Sequence, residues 1–266
     1  MACHWSFSNL SSPSRVETDA SDAYLQLRQY MKQIPSLFVP NVFCVMSDMT
    51  ETRVGTITAD EDRYVAWKSV DGDYSETKNA SWKTMLDGML PKARLLDIIQ
   101  NFVCFNDTSE KIVKILGAYH QYFAVKKAVV RAQDAVAGDG KIGVFWHTQG
   151  SGKSLSMVFF AHLIQKYLES PTIVVITDRN DLDDQLFGQF TRCAKFLRQQ
   201  AVQAESRQNL KELLEGGKQT ALFSPPCRNS LMEMNRYATG TTLLSWWMRP
   251  TEANTDSQKP SMRMAR

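Results

Sequence analysis

The chain lacks the features that mark several common protein classes. None of its five cysteines forms a C-x-x-C pair, and its four histidines are too scattered for a zinc-ligand spacing. Unpaired thiols of this kind are typical of a reduced, cytosolic protein. There is no signal peptide and no run of about 18 apolar residues, so the sequence predicts no membrane span and a cytoplasmic location.

A strong charge of one sign is also missing. The formal net charge is +3 over 266 residues, which is too small to indicate nucleic-acid binding by itself. The cluster Lys126, Lys127 and Arg131 falls on one predicted helix, and we interpret it as a solvated face. No internal repeat is evident. The function therefore has to be inferred from local motifs.

Residues 141–154 carry the strongest motif and read K-I-G-V-F-W-H-T-Q-G-S-G-K-S. The apolar run Ile142 to Trp146 predicts a short buried strand, and Leu155 to Leu168 predict a helix. Between them, Gly150 and Gly152 allow the backbone to turn its N–H groups inward. A strand, a glycine-rich turn and a helix in this order indicate a phosphate-binding loop, with the positive end of the helix facing the anion.

The loop predicts ATP and Mg²⁺ as ligands. In this pattern Lys153 reaches the β- and γ-phosphates, and the Ser154 hydroxyl ligates the Mg²⁺ that accompanies the nucleotide. The strict pattern has glycine at position 147, where this chain has His147. The alternative interpretation is a glycine-rich turn with a surface lysine. The predicted ATP-binding residues of the loop are Thr148, Gln149, Gly150, Ser151, Gly152, Lys153 and Ser154.

A second β-branched run, Thr172 to Thr177, predicts another buried strand, and together with the first it favours a parallel sheet. Over roughly residues 17–222 the chain closely resembles the motor (R) subunit of type I restriction enzymes. The stretches that carry this resemblance are W-H-T-Q-G-S-G-K-S (146–154), V-V-I-T-D-R-N-D-L-D-D-Q-L-F (174–187), I-P-S-L-F (34–38), R-V-G-T (53–56) and A-Y-H-Q-Y-F-A-V-K-K-A-V (118–129).

The resemblance implies a fold and partners. Members resemble superfamily 2 translocases fused to an N-terminal PD-(D/E)xK nuclease. They move duplex DNA with ATP and cut it, in a complex with modification and specificity subunits. The expected fold class is α/β: the back half of a PD-(D/E)xK-type nuclease domain, followed by the first part of a RecA-like P-loop helicase lobe with a parallel sheet. The expected partners are double-stranded DNA and those two subunits.

The expected domain boundaries follow from where the resemblance starts and stops. We expect an out-of-frame leader at 1–16, the C-terminal part of the nuclease-like domain at 17–105, the N-terminal part of the RecA-like lobe at 106–222, and an out-of-frame, disordered tail at 223–266. The stretch 106–110 is the expected linker. Further expected elements are strands at Leu37–Phe38, Val42–Met46 and Arg53–Ile57, and helices at Leu95–Phe105 and Ser206–Glu215.

The two ends suggest shifts of reading frame. Back-translation with a one-base shift lets the segment Trp246 to Glu252 overlie D-E-A-H-R, the acidic motif of a helicase. The first eleven residues can similarly be read as G-L-P-L-V-V-L-E-L-K, which carries the E-x-K of a nuclease. In the frame that is translated, neither set of acids is present, so no catalytic set is intact.

Three further sites follow from the resemblance. Gln26 and Tyr30 match a Q-x-x-x-Y helix beside the nuclease centre, and i, i+4 spacing places them on one helix face; an ordinary half-buried helix is the alternative. Gln121, among aromatic residues, corresponds to a glutamine that reads adenine, or is a partly exposed helical residue. The stretch Thr177, Asp178 and Arg179 resembles a DNA-contacting motif, or else caps and charges the next helix.

Two function hypotheses remain open. The first is an R-subunit fragment that retains at most nucleotide and DNA binding. The second is a non-catalytic remnant that binds DNA or a partner and has no role for ATP. A complete, separate P-loop NTPase is disfavoured, because no in-frame Asp-Glu pair follows a later strand.

Overall fold

The chain forms two compact units, Met1–Phe123 and Ala124–Arg266. The computed structural model describes residues 6–10, 20–47, 51–73, 81–108, 110–138, 140–148, 150–168, 171–177, 180–215, 220–223, 243–248 and 262–265. Both units combine helices and strands, so the mixed α/β class predicted from the sequence is confirmed. The boundary falls inside a helix, whereas the sequence predicted a linker at 106–110.

The first unit contains a four-stranded sheet and a hairpin. Its elements are β1 (Ser6–Leu10), α1 (Ala20–Gln33), β2 (Phe43–Ser47), β3 (Thr52–Gly55), β4 (Val65–Ala66), α2 (Trp82–Met89), α3 (Lys92–Asn101), β5 (Val103–Asp107), β6 (Ile112–Leu116) and the start of α4 (Tyr119–Ala137). The sheet order is β1-β2-β3-β4. β1 runs parallel to β2, and the other two pairs are antiparallel.

α1 forms against this sheet because its apolar residues recur on one face. Ala23 and Leu27 are buried at i, i+4 spacing and pack in one cluster with Phe38, Cys44 and Met46. β2 is buried at every position, which agrees with its continuous F-C-V-M-S run. This packing fixes the register of α1 and leaves Gln26 on the exposed side.

Three sequence predictions in this unit differ from the structure. Pro35–Phe38 form a 3₁₀ helix, not a strand, since Pro35 pre-sets the helical φ angle at the first position. α3 ends at Asn101, not at Phe105. The expected linker is partly strand, because β5 pairs antiparallel with β6 along five residues. This non-local pairing of β-branched and aromatic residues overrides the local helical pattern.

Two threonines tie the hairpin to the sheet. The Thr56 hydroxyl donates to the Lys114 carbonyl at 2.7 Å, and the Lys114 N–H donates to the Thr58 hydroxyl at 2.8 Å. The Lys114 ammonium donates to the Asn41 carbonyl at 2.5 Å. These contacts make the hairpin part of the first unit.

The second unit contains a six-stranded sheet. Its elements are the rest of α4, β7 (Lys141–Gly143), α5 (Lys153–Tyr167), β8 (Thr172–Thr177), α6 (Asn180–Arg192), α7 (Ala194–Leu197), β9 (Val202–Ala204), α8 (Arg207–Glu215), β10 (Thr220–Phe223), β11 (Leu243–Met248) and β12 (Met262–Ala265). The strand order is β7-β12-β11-β8-β10-β9. The pairs formed by β11, β8, β10 and β9 are parallel, whereas β12 pairs antiparallel with both neighbours.

The predicted strand at 172–177 and the helix near 206–215 lie where expected. The strand expected from Ile142 to Trp146 is shorter and ends at Gly143. Strands at 243–248 and 262–265 lie within the tail that was expected to be disordered. The L-L-S-W-W-M run has the apolar and aromatic composition that favours strands. The hypothesis of shifted reading frames concerns the gene and stays a prediction.

Candidate nucleotide-binding site

The candidate phosphate loop connects β7 to α5, and its turn contains two glycines. Gly150 and Gly152 have φ angles of +79° and +75°, in the left-handed region that glycine adopts without strain. Gly152 is also the N-cap residue directly before α5, and its carbonyl accepts the N–H groups of Leu155 and Ser156 at 3.0 and 3.1 Å. The backbone therefore has the turn that the sequence predicts. Gln149 lies outside the described residues.

Lys153 places its ammonium group back over the loop. Its Nζ donates to the His147 carbonyl at 3.1 Å, and the Ser151 hydroxyl donates to the Thr148 carbonyl at 2.8 Å. Lys153 and Ser154 are both half-buried in the first turn of α5. A cation and a hydroxyl at a helix N-terminus, where the first N–H groups have no intrahelical acceptor, can bind a phosphate and its metal ion.

α5 is anchored to the core along most of its length, which keeps the loop in place. Phe159, Leu163 and Ile164 are fully buried. On another side the His162 ring stacks on Phe196, with a centroid distance of 4.1 Å, and its Nδ1 lies 3.1 Å from the Phe196 carbonyl oxygen. Burial lowers the pKa of His162, so the neutral imidazole is favoured in this contact at neutral pH.

His147 occupies the first position of the loop, where the strict pattern has glycine. Its ring lies 4.6 Å from the Phe145 ring, centroid to centroid. The neighbouring Trp146 is 62% exposed. The side chain at position 147 is therefore packed beside the loop, and its backbone carbonyl is the group that holds Lys153. A residue larger than glycine is compatible with the turn.

Gln121 lies in the first unit, in the first turn of α4, whereas the phosphate loop lies in the second. It is 4% exposed, and its Oε1 accepts the N–H of Ala118 at 2.9 Å. The amide therefore caps the start of α4, and it is more buried than either interpretation of the sequence expected. Recognition of adenine by Gln121 stays a prediction.

A polar network next to Gln121 was not predicted from the sequence. The Tyr122 hydroxyl donates to Asp97 Oδ2 at 3.0 Å, and the Asn101 amide donates to Asp97 Oδ1 at 2.7 Å. Burial and the Asp97 carboxylate raise the pKa of Tyr122, which keeps its hydroxyl protonated. Arg94 donates to the carbonyls of Val70 and Gly88. In the sequence, only the i, i+4 spacing of Asp97 and Asn101 could have indicated this network.

The other predicted site residues belong to other elements of the fold. On α1, Gln26 is exposed and Tyr30 is half-buried against the core cluster, and the Gln26 amide donates to the Tyr30 hydroxyl at 2.8 Å. Thr177 is the last residue of β8, while Asp178 and Arg179 lie outside the described residues. DNA contacts at these positions stay predictions.

Neither a cluster of metal ligands nor a membrane-spanning helix occurs among the described residues. No group of three or more His, Cys, Asp or Glu residues among them is arranged to hold a metal ion. No helix in the described ranges is long and apolar enough to cross a membrane.

Comparison with known proteins gives a family match and several relatives. A family model described as SWI2/SNF2 ATPase matches residues 120–225. The endonuclease subunit of type I restriction enzyme HindI from Haemophilus influenzae is 41% identical over 213 residues, which is 77% of this chain and 20% of that protein. The putative MjaIXP endonuclease subunit from Methanocaldococcus jannaschii is 33% identical over 228 residues, 77% of this chain and 21% of that protein.

The loop lies within the region that matches the SWI2/SNF2 ATPase family model, so this part of the chain is ATPase-like. The relatives are more specific, and the chain belongs to the family of type I restriction enzyme endonuclease subunits, as its motifs indicated. It spans about a fifth of the length of the relatives it matches.

Replacing Gly150 with alanine tests whether the left-handed turn forms the site. Nothing lies within 4 Å of an added Cβ, so the effect comes from the backbone alone. We expect a loss of stability of roughly 1–2 kcal/mol and weaker nucleotide binding. Gly188→Ala in α6 is the control, because alanine is favoured there by about 0.5–1 kcal/mol and only the flexible Arg192 side chain is close. Equal effects of the two substitutions would contradict the assignment of the loop.

Proposed function

We propose that this chain is a segment of a type I restriction enzyme endonuclease subunit that binds ATP with Mg²⁺ at residues 148–154 and does not hydrolyse it. The observation that carries the proposal is the position of Lys153 Nζ, 3.1 Å from the His147 carbonyl oxygen, above a turn made by two left-handed glycines. When phosphates enter, this ammonium group can exchange the carbonyl for a phosphate oxygen without moving far.

The proposed roles follow the chemistry of the loop. Lys153 binds the β- and γ-phosphate oxygens, the backbone N–H groups of residues 150–154 surround them, and the Ser154 hydroxyl binds Mg²⁺. Thr148 and Gln149 belong to the same motif, and recognition of adenine by Gln121 stays a separate prediction. Mg²⁺, when bound with the nucleotide, neutralises phosphate charge.

The proposed function does not include ATP hydrolysis, because the end of β11 carries no acidic residue. This strand is the parallel neighbour of β8 and ends beside it, with Met248 in register with Thr177. In a P-loop ATPase, the carboxyl end of a neighbouring strand supplies the acids that hold Mg²⁺ and orient water. Here the sequence is Trp246-Trp247-Met248, and none of these residues carries a carboxylate.

The names of the relatives extend the proposal to partners. As endonuclease subunits of restriction enzymes, they imply double-stranded DNA as the substrate of the assembled enzyme, with modification and specificity subunits beside them. We propose the same partners, and the cytoplasm as the location, for this chain. Gln26, Tyr30, Thr177, Asp178 and Arg179 are the proposed DNA contacts that the motifs supply.

Calorimetric titration of the chain with Mg²⁺ and ATP tests the proposal. We expect saturable binding with a Kd on the order of 0.1 mM, because one loop supplies few of the contacts of a closed site. Release of phosphate should not exceed that of a protein-free blank. Hydrolysis of ATP would contradict the inference that the chain lacks the catalytic acid. An absence of binding would favour a remnant that binds DNA or a partner without ATP.

A further inference from the structure

The most unusual charged surface of the second unit lies on α4 and α5. Lys126, Lys127 and Arg131 fall within an arc of about 140° of α4, since successive residues turn by about 100°. The opposite face of this helix is buried through Val125 and Val129. The three cations therefore point away from the core, and Lys127 and Arg131 are exposed.

The last turn of α5 adds to the same surface. Lys126 Nζ lies 5.9 Å from the centroid of the Tyr167 ring, which joins the two helices at this point. Tyr167 is 41% exposed, and the adjacent Lys166 is exposed. The helix dipole alone favours Lys166 in the last turn of α5. The contact between Lys126 and Tyr167 is a separate interaction that the dipole does not explain.

Two other helical lysines of this protein form ion pairs within their helices. Lys83 pairs with Asp87 at 2.6 Å and Lys211 pairs with Glu215 at 3.8 Å, both at i, i+4 spacing. On α4 the residue four positions after Lys127 is Arg131, a like charge that costs roughly 0.2–0.5 kcal/mol in a helix. The helix therefore gains no stability from having these two cations one turn apart.

Counter-charge on these two helices is sparse. Their only acidic residue is Asp134, one turn beyond Arg131. Among the described residues of these two helices, the surface contains the cations Lys126, Lys127, Arg131 and Lys166. The sequence alone suggested a solvated face, because Lys166 and Tyr167 lie about 40 residues away from the α4 cluster.

We propose that this α4–α5 basic surface (Lys126, Lys127, Arg131, Lys166 and Tyr167) binds the phosphate backbone of duplex DNA. The occupant is inferred from charge complementarity, because a duplex presents about one negative charge per 1.7 Å of its axis and is bound through phosphates by lysine and arginine. Such a contact is independent of base sequence. It deepens the proposed function by assigning to the second unit a DNA surface apart from the phosphate loop.

Fluorescence anisotropy of a labelled duplex of about 20 base pairs tests this surface, with the whole chain, without nucleotide, over a range of KCl concentrations. The double variant Lys127→Ala/Lys166→Ala should bind roughly tenfold more weakly near 0.1 M salt, and its salt slope should fall by about two. The matched control is Lys68→Ala/Lys92→Ala, which removes two exposed charges from the first unit. The control should bind like the unchanged chain.

Each result has a defined meaning. Equal weakening in both double variants, or no binding by the unchanged chain, would overturn the proposal, because net charge alone would then explain any affinity. Tighter binding to a single strand of the same length would overturn the choice of duplex. Titration of the same variants with ATP separates this inference from the nucleotide proposal, since Lys127→Ala/Lys166→Ala should bind ATP normally.

Discussion

Replacing Lys153 with alanine is expected to abolish measurable ATP binding while the chain stays folded. The ammonium group would make charge-assisted hydrogen bonds to phosphate, each contributing about 1.5–3 kcal/mol, so affinity should fall by at least tenfold. Its present partner is a single backbone carbonyl, so the stability should change by less than about 1 kcal/mol. Calorimetry and thermal unfolding measure the two quantities.

Two matched variants make the result specific. Lys166→Ala removes the same charge from the other end of α5 and should leave ATP binding unchanged. Lys153→Arg keeps the charge but replaces a compact ammonium group with a planar fork, and should restore little of the affinity. If Lys153→Ala bound ATP normally, the loop would be a glycine-rich turn with a surface lysine, and the nucleotide proposal would be wrong.

Truncation of Phe102 should give the largest loss of stability in the first unit. Phe102 is fully buried where α3 ends, and its ring lies 4.8 Å from that of Tyr122. Its carbonyl also accepts the Gly117 N–H at 2.8 Å. Phe102→Ala should lower the free energy of unfolding by about 3–5 kcal/mol, since it removes buried surface and leaves a cavity. Urea denaturation followed by tryptophan fluorescence measures this change.

The neighbouring Phe105 provides the comparison. It is 50% exposed on β5, with Lys114 Nζ 5.7 Å from its ring centroid, so Phe105→Ala should cost less than about 1 kcal/mol. A similar cost for both substitutions would mean that α3 does not end as described. The two substitutions therefore test the C-terminal end of α3, which the sequence analysis placed incorrectly at Phe105.

The elements predicted correctly are those whose signal is local. Thr172–Thr177 is a β-branched run, and Arg207–Glu215 has the periodicity of a helix, so short-range patterns were sufficient. Gly150 and Gly152 were identified for the same reason, because a left-handed turn requires specific residues at specific positions.

The errors concern contacts between segments, from the two strands of one hairpin to residues far apart in the sequence. Val103–Asp107 continues the apolar pattern of the preceding helix, and only its pairing with Ile112–Leu116 makes it a strand. Asp97 and Tyr122 are 25 residues apart, so their hydrogen bond left no signal in either segment. The grouping of Lys126 with Tyr167 likewise depends on how two helices pack. Such contacts are decided by tertiary packing.

The buried cysteines have a practical consequence for measuring motion. Cys44 and Cys104 are buried in the first unit and Cys193 is buried in the second. Burial raises the pKa of the Cys44 thiol to about 11, so little of it is the reactive thiolate near pH 8. A thiol reagent should therefore modify these residues only after local opening. With Cys3 and Cys227 replaced by serine, alkylation rates at the three remaining thiols would report how often each unit opens, independently of any ligand.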